Sequence, residues 1–308
     1  MPEGPEVVIT IQYLINNIKN SIITNLNVIS GRYTHQDLKG KKLLQNNNYK
    51  IINIHSKGKF IWFELQKNNK KLYILNTLGM SGHWGFDKHN SNRVVFTFKK
   101  NNNDNAKKYS LYFTDQRNFG TLEITDDYTI VSKKLDKLGI DLLKTKLKTN
   151  ELSEHIQEFI DKNKTRKFNT NIVKILMSQE KNKGIGSGIG NYLCSEILYD
   201  AKISPHRTLI SLNIKEVDKL SFSIKKVMKN AYVYNVIGYM KAFDNFMKNH
   251  KSDIKKKVYE DYHNDIKIND KEFIFKVYQQ DKDSKGNNVK SEIIFNKRTT
   301  WWVPKLQK

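Results

Sequence analysis

GIGSGIGNYLCSEIL, residues 184–198, is the stretch on which the fold turns. Its glycine spacing resembles a dinucleotide-binding fingerprint, but that motif follows a strand. Here KILMSQEKNK (174–183) precedes it and reads as the end of a helix. The better reading is a tight turn between two helices, whose backbone N–H groups can meet a phosphate where the second helix starts. Asn191, at that start, can cap the helix or donate to a phosphate.

Outward from this turn the hydrophobic pattern changes character. Helical spacing runs from about Ser153 to Met247, interrupted by the glycine-rich turn, and a lysine-rich stretch at 251–265 reads as a loop or linker. EFIFKVYQQ (272–280) and KRTTWWV (297–303) are β-type runs flanking a polar segment, which predicts a terminal hairpin. Upstream, Val7, Ile11, Leu14, Ile15 and Ile18 recur at helical spacing and predict one amphipathic helix ending near Asn20. From Ile22 to about Thr125 short β-type runs alternate with Asn, Gly and Lys clusters, the pattern of a sandwich or barrel. The chain carries no internal repeat, and its length suggests two domains.

Composition narrows the function. Among 308 residues, 54 are Lys or Arg and 31 Asp or Glu, a net charge of +23 that points to a polyanionic partner. Lysine is abundant enough to be a diffuse background. The six arginines (Arg32, Arg93, Arg117, Arg166, Arg207 and Arg298) are more informative, because lysine cannot reproduce their planar donor fork. The one cysteine, Cys194, fits a reducing compartment and forbids both an intrachain disulfide and an all-thiolate zinc site. His83 and His89 have no cysteine pair beside them, so no metal site is expected. No apolar run approaches the roughly 20 residues of a membrane span, and no signal peptide opens the chain. An intracellular, non-secreted protein of nucleus or cytoplasm is expected, without a membrane partner.

MPEGPE (1–6) sets Pro2, Glu3, Pro5 and Glu6 side by side. The residue after Met1 is small, so Met1 is expected to be removed, leaving Pro2 as a secondary amine with carboxylates close by. Proline and acids in a first turn also describe an ordinary helix start. LGMSG (78–82) can be a turn with Met80 in the core. TDQRNFG (114–120) can be a strand start with a surface arginine. In this order, however, and with KGKF (57–60), LGID (138–141), AKISPH (201–206) and KRTTWW (297–302), the motifs resemble the formamidopyrimidine-DNA glycosylase/endonuclease VIII (Fpg/Nei) family over nearly the whole chain.

The resemblance implies an α+β fold: an N-terminal helix and two-layered β-sandwich over 1–140, a helix–two-turns–helix domain over 141–258, and a finger over 259–308. Most bacterial members close the finger with four cysteines around zinc, which this chain cannot supply. It is similar instead to the zincless-finger, endonuclease VIII-like branch of eukaryotes and large DNA viruses, with Trp301 and Trp302 supplying packing in place of metal.

The implied activity is that of a bifunctional DNA glycosylase and AP lyase of base excision repair, needing no cofactor. Pro2 matches the nucleophile, Glu3 the acid, Glu6 a second carboxylate, and Lys59 the lysine near the lesion phosphate. Asn191, the amides around Gly188 and Gly190, and Arg298 match groups that hold backbone phosphates. Met80, Arg117 and Phe119 match the trio that fills the gap left by a flipped base. Glu196 matches a buried carboxylate after the glycine turn; a cap or an exposed position is its plainer reading. The expected partner is double-stranded DNA with oxidised bases, chiefly pyrimidines, or abasic sites, and also single-stranded DNA, met by a monomer. The family's variable lesion-contacting loop falls at 236–258. A catalytically inactive damaged-DNA-binding protein of the same fold is the alternative. An N-terminal-proline tautomerase explains Pro2 but not the charge, and a structural RNA-binding protein explains the charge but not PEGPE.

Overall fold

The computed structural model describes residues 2–45, 47–100, 106–164, 170–234, 241–269 and 272–308. The chain forms two compact units, one of Pro2 and Glu6–Lys137, the other of Glu3–Pro5 and Leu138–Lys308.

The first unit takes helix α1 (Gly4–Ile18) from Glu6 onward and continues through β1 (Ile22–Val28), the short α2 (Lys41–Leu44), β2 (Tyr49–Lys57), β3 (Phe60–Lys67) and β4 (Lys70–Thr77). Strands β5 (His83–Gly85), β6 (Asn92–Lys99), β7 (Lys108–Thr114) and β8 (Thr121–Thr125) follow, then helix α3 (Tyr128–Lys137), which the hydrophobic pattern did not announce. The strands form one ladder in the order β5-β7-β6-β1-β2-β3-β4-β8. Its centre is weak, because β1 meets β2 only at Ile22↔Lys50 and Ile23↔Tyr49. The ladder thus divides there into two four-stranded layers, the expected sandwich.

Alternation places the core. Along β6, Val94, Phe96 and Phe98 are buried while Arg93, Val95 and Thr97 are partly exposed. Trp84 of β5 is the centrepiece, 1% exposed, with ring centroids 5.3 Å from Phe63, 5.4 Å from Phe96 and 5.1 Å from Phe113. Phe63 lies on the opposite layer, so this one indole joins both. Its Nε1 donates to Asn76 Oδ1 at 3.0 Å, which gives the buried N–H a partner.

The second unit contains α4 (Thr149–Lys164), α5 (Ile172–Met177), α6 (Asn191–Ala201), α7 (Ile214–Tyr234), α8 (Lys241–Asn249), α9 (Lys251–Glu260), and the hairpin β9 (Lys290–Phe295) and β10 (Arg298–Trp302). Helix α6 is buried from Asn191 to Tyr199, so it forms the axis of the unit. Val217, Leu220, Ile224, Met228 and Ala231 of α7 recur at helical spacing and are buried, with α4 and α6 packed on that helix.

Two lysines of α7 are also fully buried. Lys225 Nζ binds Asp265 Oδ1 at 2.5 Å and Leu147 O at 2.7 Å, and Lys229 Nζ donates to the carbonyls of Leu143 and Tyr262. Burial, then the neighbouring Lys225, pull the Lys229 ammonium down to about 7, against Asp141 and Asp265. The pair fastens two connecting segments to α7.

Two sequence expectations fail here. The stretch 251–265 is largely helix, because Ile254 and Val258, four residues apart, bury one stripe of α9 among its lysines. EFIFKVYQQ contributes no strand: the hairpin pairs KSEIIF with RTTWW through the turn Asn296–Lys297, both at positive φ (48° and 56°), as a tight two-residue hairpin turn requires. Among the described residues no helix is long and apolar enough to cross a membrane.

Trp84→Ala is expected to lower unfolding free energy by about 3–5 kcal/mol, and Trp84→Phe by less, because it keeps most of the packing but orphans Asn76 Oδ1. Denaturant titration of both variants checks the order.

Candidate active site

Glu3 has no exposed surface, and its carboxylate sits on the first turn of α6. Oε2 accepts from the N–H of Gly190 at 2.6 Å and of Leu193 at 3.3 Å, and Oε1 from Tyr192 at 3.0 Å. These are donors that a helix start leaves without intrahelical partners, and the helix dipole favours an anion among them. Gly4 N donates to Gly188 O at 2.9 Å, and a Cβ on Gly4 would lie 3.1 Å from Gly188 Cα. The glycines on both sides let two backbones approach this closely.

The same contacts revise one expectation. The amides of Gly188 and Gly190 are engaged within the protein, Gly188 N donating to Gln179 Oε1 at 2.9 Å and Gly190 N to Glu3. They are not directed at a phosphate. Gln179 also donates from Nε2 to the carbonyls of Met177 and Ile189, so its amide clips the turn from α5 to α6. Sequence reasoning missed Gln179, and no spacing or composition singles it out.

Asn191 is 8% exposed, and its Nδ2 donates to Thr299 O at 2.9 Å, tying the start of α6 to β10 beside Arg298. Tyr278 also faces this point: burial pushes its phenol up, the Glu3 charge adds to that, and a hydrogen bond with Asn191 and the Arg298 charge pull it down. Glu3, Asn191, Tyr278 and Arg298 therefore gather in one place within the second unit. Tyr278 was not anticipated.

Glu196 is 3% exposed and holds the segment expected to be a strand. Its carboxylate accepts from the N–H groups of Lys276, Val277 and Tyr278 at 2.9–3.0 Å. Burial raises its pKa, and these hydrogen bonds act against the rise.

The finger is held by its own side chains. Val277 and Val303 pack on Tyr199 with Val289, Trp301 and Leu306 around them. Trp302 Nε1 donates to Glu292 Oε1 at 3.1 Å, and the Tyr199 hydroxyl donates to Asp283 Oδ2 at 3.0 Å. Asp283 further accepts from the backbone N–H groups of Lys285 and Asn287 and from Asn287 Nδ2. A zinc ion does not fit this finger. Cys194 lies buried in α6, and among the described residues no group of three or more His, Cys, Asp or Glu could hold a metal.

In the first unit, Pro2 is buried and Glu6 is 4% exposed. Lys59 occupies the two-residue turn Gly58–Lys59 between β2 and β3, where Gly58 takes φ 56°, and it is partly exposed. LGMSG and DQRNFG form two touching loops. A Cβ on Gly79 (φ +63°) would lie 2.6 Å from Gly120 N. Asp115, 1% exposed, accepts from Ser81 Oγ and Gly120 N, each at 2.6 Å, while Ser81 Oγ accepts from Arg117 N at 2.9 Å. On this stiffened base Met80, Arg117 and Phe119 stand together. Arg117 Nη1 lies 3.4 Å from Met80 Sδ, Met80 is half-buried, and Phe119 is 58% exposed. A Phe so exposed gains little by burial in the protein, which sets it apart from a core residue. Of the loop expected at 236–258, residues 236–240 lie outside the described residues, as does Met1; the remainder is α8 and most of α9.

Three family models match the chain: the formamidopyrimidine-DNA glycosylase N-terminal domain over residues 1–122, its H2TH domain over 147–241 and its C-terminal domain over 264–308. The chain is 32% identical over 239 residues to the formamidopyrimidine-DNA glycosylase of Wolbachia sp. subsp. Drosophila simulans (strain wRi), covering 75% of this chain and 78% of that one. With the corresponding Corynebacterium diphtheriae protein it shares 29% over 248 residues, 75% and 79% of the two chains. Its fold matches the MutM (Fpg) protein of Thermus thermophilus at a TM-score of 0.69 and 19% identity, over 99% and 98% of the chains. Lactococcus lactis Fpg, in complex with abasic-site DNA, matches at 0.70 and 20%, over 99% of each. This is the class of DNA glycosylases with AP lyase activity, enzymes of base excision repair. The chain belongs to the formamidopyrimidine-DNA glycosylase family.

The finger carries a pH prediction. Burial pushes the Asp283 carboxyl up, but the hydrogen bonds from Asn287, Tyr199 and Lys285 outweigh it and hold the group at about 2, below the ordinary 3.8. A depressed carboxyl stabilises the fold above its unfolded value and loses that contribution as pH falls towards the folded one. Between pH ~4 and ~2 the wild-type denaturation midpoint should therefore fall by more than that of Asp283→Asn, followed by tryptophan fluorescence.

Proposed function

We propose that this enzyme removes oxidised bases, chiefly pyrimidines, from double-stranded DNA, with Pro2 as its nucleophile once Met1 is removed. The observation that carries this reading is Glu3, a fully buried carboxylate fixed at a helix start and joined by one peptide bond to Pro2. An α-amino group titrates near 8, so a useful fraction is the free base at neutral pH. The Pro2 amine attacks C1′ of the damaged nucleotide and displaces the base; Glu3 takes up the proton that the amine loses and passes it to the sugar ring oxygen, so that the ring opens and an iminium links protein and sugar. The iminium acidifies the C2′ proton; its loss expels the 3′ phosphate, and δ-elimination then expels the 5′ phosphate. Hydrolysis of the remaining link frees Pro2.

Glu6 serves as a second carboxylate near the amine, and Lys59, Asn191 and Arg298 hold phosphates. Gly188 and Gly190 shape the turn that seats Glu3 rather than donating to DNA. Met80, Arg117 and Phe119 fill the void beside the orphaned base, apolar groups against its neighbours and the guanidinium on its polar edge. Glu196 supports the segment that carries Tyr278. Solved complexes of Lactococcus lactis Fpg with abasic-site DNA and with DNA containing an oxidised pyrimidine support these partners for this chain. The cysteine-free finger, held by Asp283, Trp302 and the Val277–Val303 cluster, supports the zincless, endonuclease VIII-like branch.

Borohydride added during reaction with duplexes holding 5-hydroxyuracil, thymine glycol or 8-oxoguanine should trap an adduct on Pro2, with the pyrimidines ranked first. Pro2→Gly should abolish trapping, and Glu3→Gln should slow base release by roughly 10²–10⁴-fold while DNA binding persists. Tight lesion binding without an adduct on any duplex would identify an inactive damage-binding protein instead. Preferred trapping on 8-oxoguanine would overturn the pyrimidine ranking.

A further inference from the structure

A groove of about 650 Å³ opens on the first unit, lined by Asn20, Asn48, Lys50, Lys67, Asn68 and Lys100 among others. It lies where β2 starts and β3 ends, away from the turn that carries Lys59. Seven residues of extended strand separate Lys50 from Lys57, which is about 23 Å. The pairing register explains why the positive charges converge. Ile22 pairs with both Lys50 and Lys99, Lys50 pairs with Gln66, and Lys67 pairs with Lys70. Strand ends rich in lysine are thereby stacked along one rim of the ladder.

Among the described residues, no carboxylate lines this groove. Between Lys19 and Asn103 the sequence has only three carboxylates, Asp37, Glu64 and Asp87. Glu64 is engaged by Lys71 at 3.0 Å and faces His55 at 3.6 Å, and none of the three lines the groove. Lys67 Nζ donates to Asn47 Oδ1 at 3.0 Å, a neutral partner that leaves its charge uncompensated. Asparagine side chains around the lysines supply N–H donors suited to oxygen acceptors. Lysines on an edge strand would protect against edge pairing, but at this rim Lys50 is paired on both sides, with Ile22 of β1 and Gln66 of β3, so that reason does not apply to it. The chemistry that suits such a surface is a row of phosphodiesters, whose counterions are released on binding.

We propose that this groove is a second DNA-backbone site, which holds undamaged duplex without reading its sequence, independently of the lesion site. The inference does not rest on the catalytic reading, since it concerns undamaged DNA and a separate part of the surface.

The test measures binding of a short undamaged duplex to the whole protein by calorimetry at low salt, followed by salt dependence. Wild type should take up two duplexes, and the Lys50→Gln, Lys67→Gln, Lys100→Gln triple variant only one. The weaker event should have a log–log salt slope of up to about 3 in magnitude, from three phosphate contacts. Arginine at all three positions should retain the second event, which separates charge from loss of fold. Excision from a short lesion duplex should be unchanged in the triple variant. A single event in wild type, or two events in a folded glutamine variant, would overturn the proposal.

Discussion

Removing an ionised carboxylate from water costs several kcal/mol, and only fixed donors of good geometry offset it. Glu3 meets that demand with three backbone N–H groups at the start of α6, groups that themselves need an acceptor. One contact thus satisfies both sides, and much of the local sequence follows from it. Gly188 and Gly190 let the turn pass close to residues 3 and 4, Gln179 clips the turn, and Gly139 meets Gly186, where a Cβ would lie 2.9 Å from Cα. The result is a chain end whose third residue is immobilised. The nucleophile proposed at Pro2, one residue away, would gain from that, because misplacing a reacting atom by about 1 Å can cost ~10²-fold in rate.

The parts of the fold that were legible in sequence are those where one physical demand dominates. β6 shows clean alternation, α7 a helical stripe, and the paired loops of Met80 and Arg117 depend on glycines at 79 and 120 that no other residue can replace without collision. The illegible parts arise where a side chain takes over the work of the backbone. EFIFKVYQQ has a strand's composition, yet the N–H groups of 276–278 go to the Glu196 carboxylate and not to a ladder. Nothing local distinguishes the two outcomes, since the acceptor lies 80 residues away. The α9 helix was hidden for a different reason: its buried stripe is only Ile254 and Val258, too thin to stand out against the lysines.

The site residues divide in the same way. Pro2, Glu3, Lys59, Asn191 and Arg298 were singled out as candidates by motif order, because each proposed chemistry needs one residue type. Tyr278, Gln179 and Asp283 were not, because their importance comes from whom they touch. Asp283 does carry a weak signal, an Asp two residues before Lys-Gly in a polar stretch, which is turn chemistry. Its role in bracing the finger through Tyr199 is visible only in three dimensions.

The handling of sulfur has a consequence for durability. Cys194 is 0% exposed, and no thiolate holds the finger together, so peroxide and related oxidants find no accessible thiol in the finger or at the start of α6. Among the described residues, the most accessible sulfur is instead the half-buried thioether of Met80, which already receives Arg117 Nη1 at 3.4 Å. Its conversion to a sulfoxide would replace an apolar thioether with a polar, chiral group bearing a strong acceptor for that guanidinium. If Met80 fills the void as proposed, oxidative inactivation would begin at that contact, reversible by sulfoxide reduction, while the architecture stays intact.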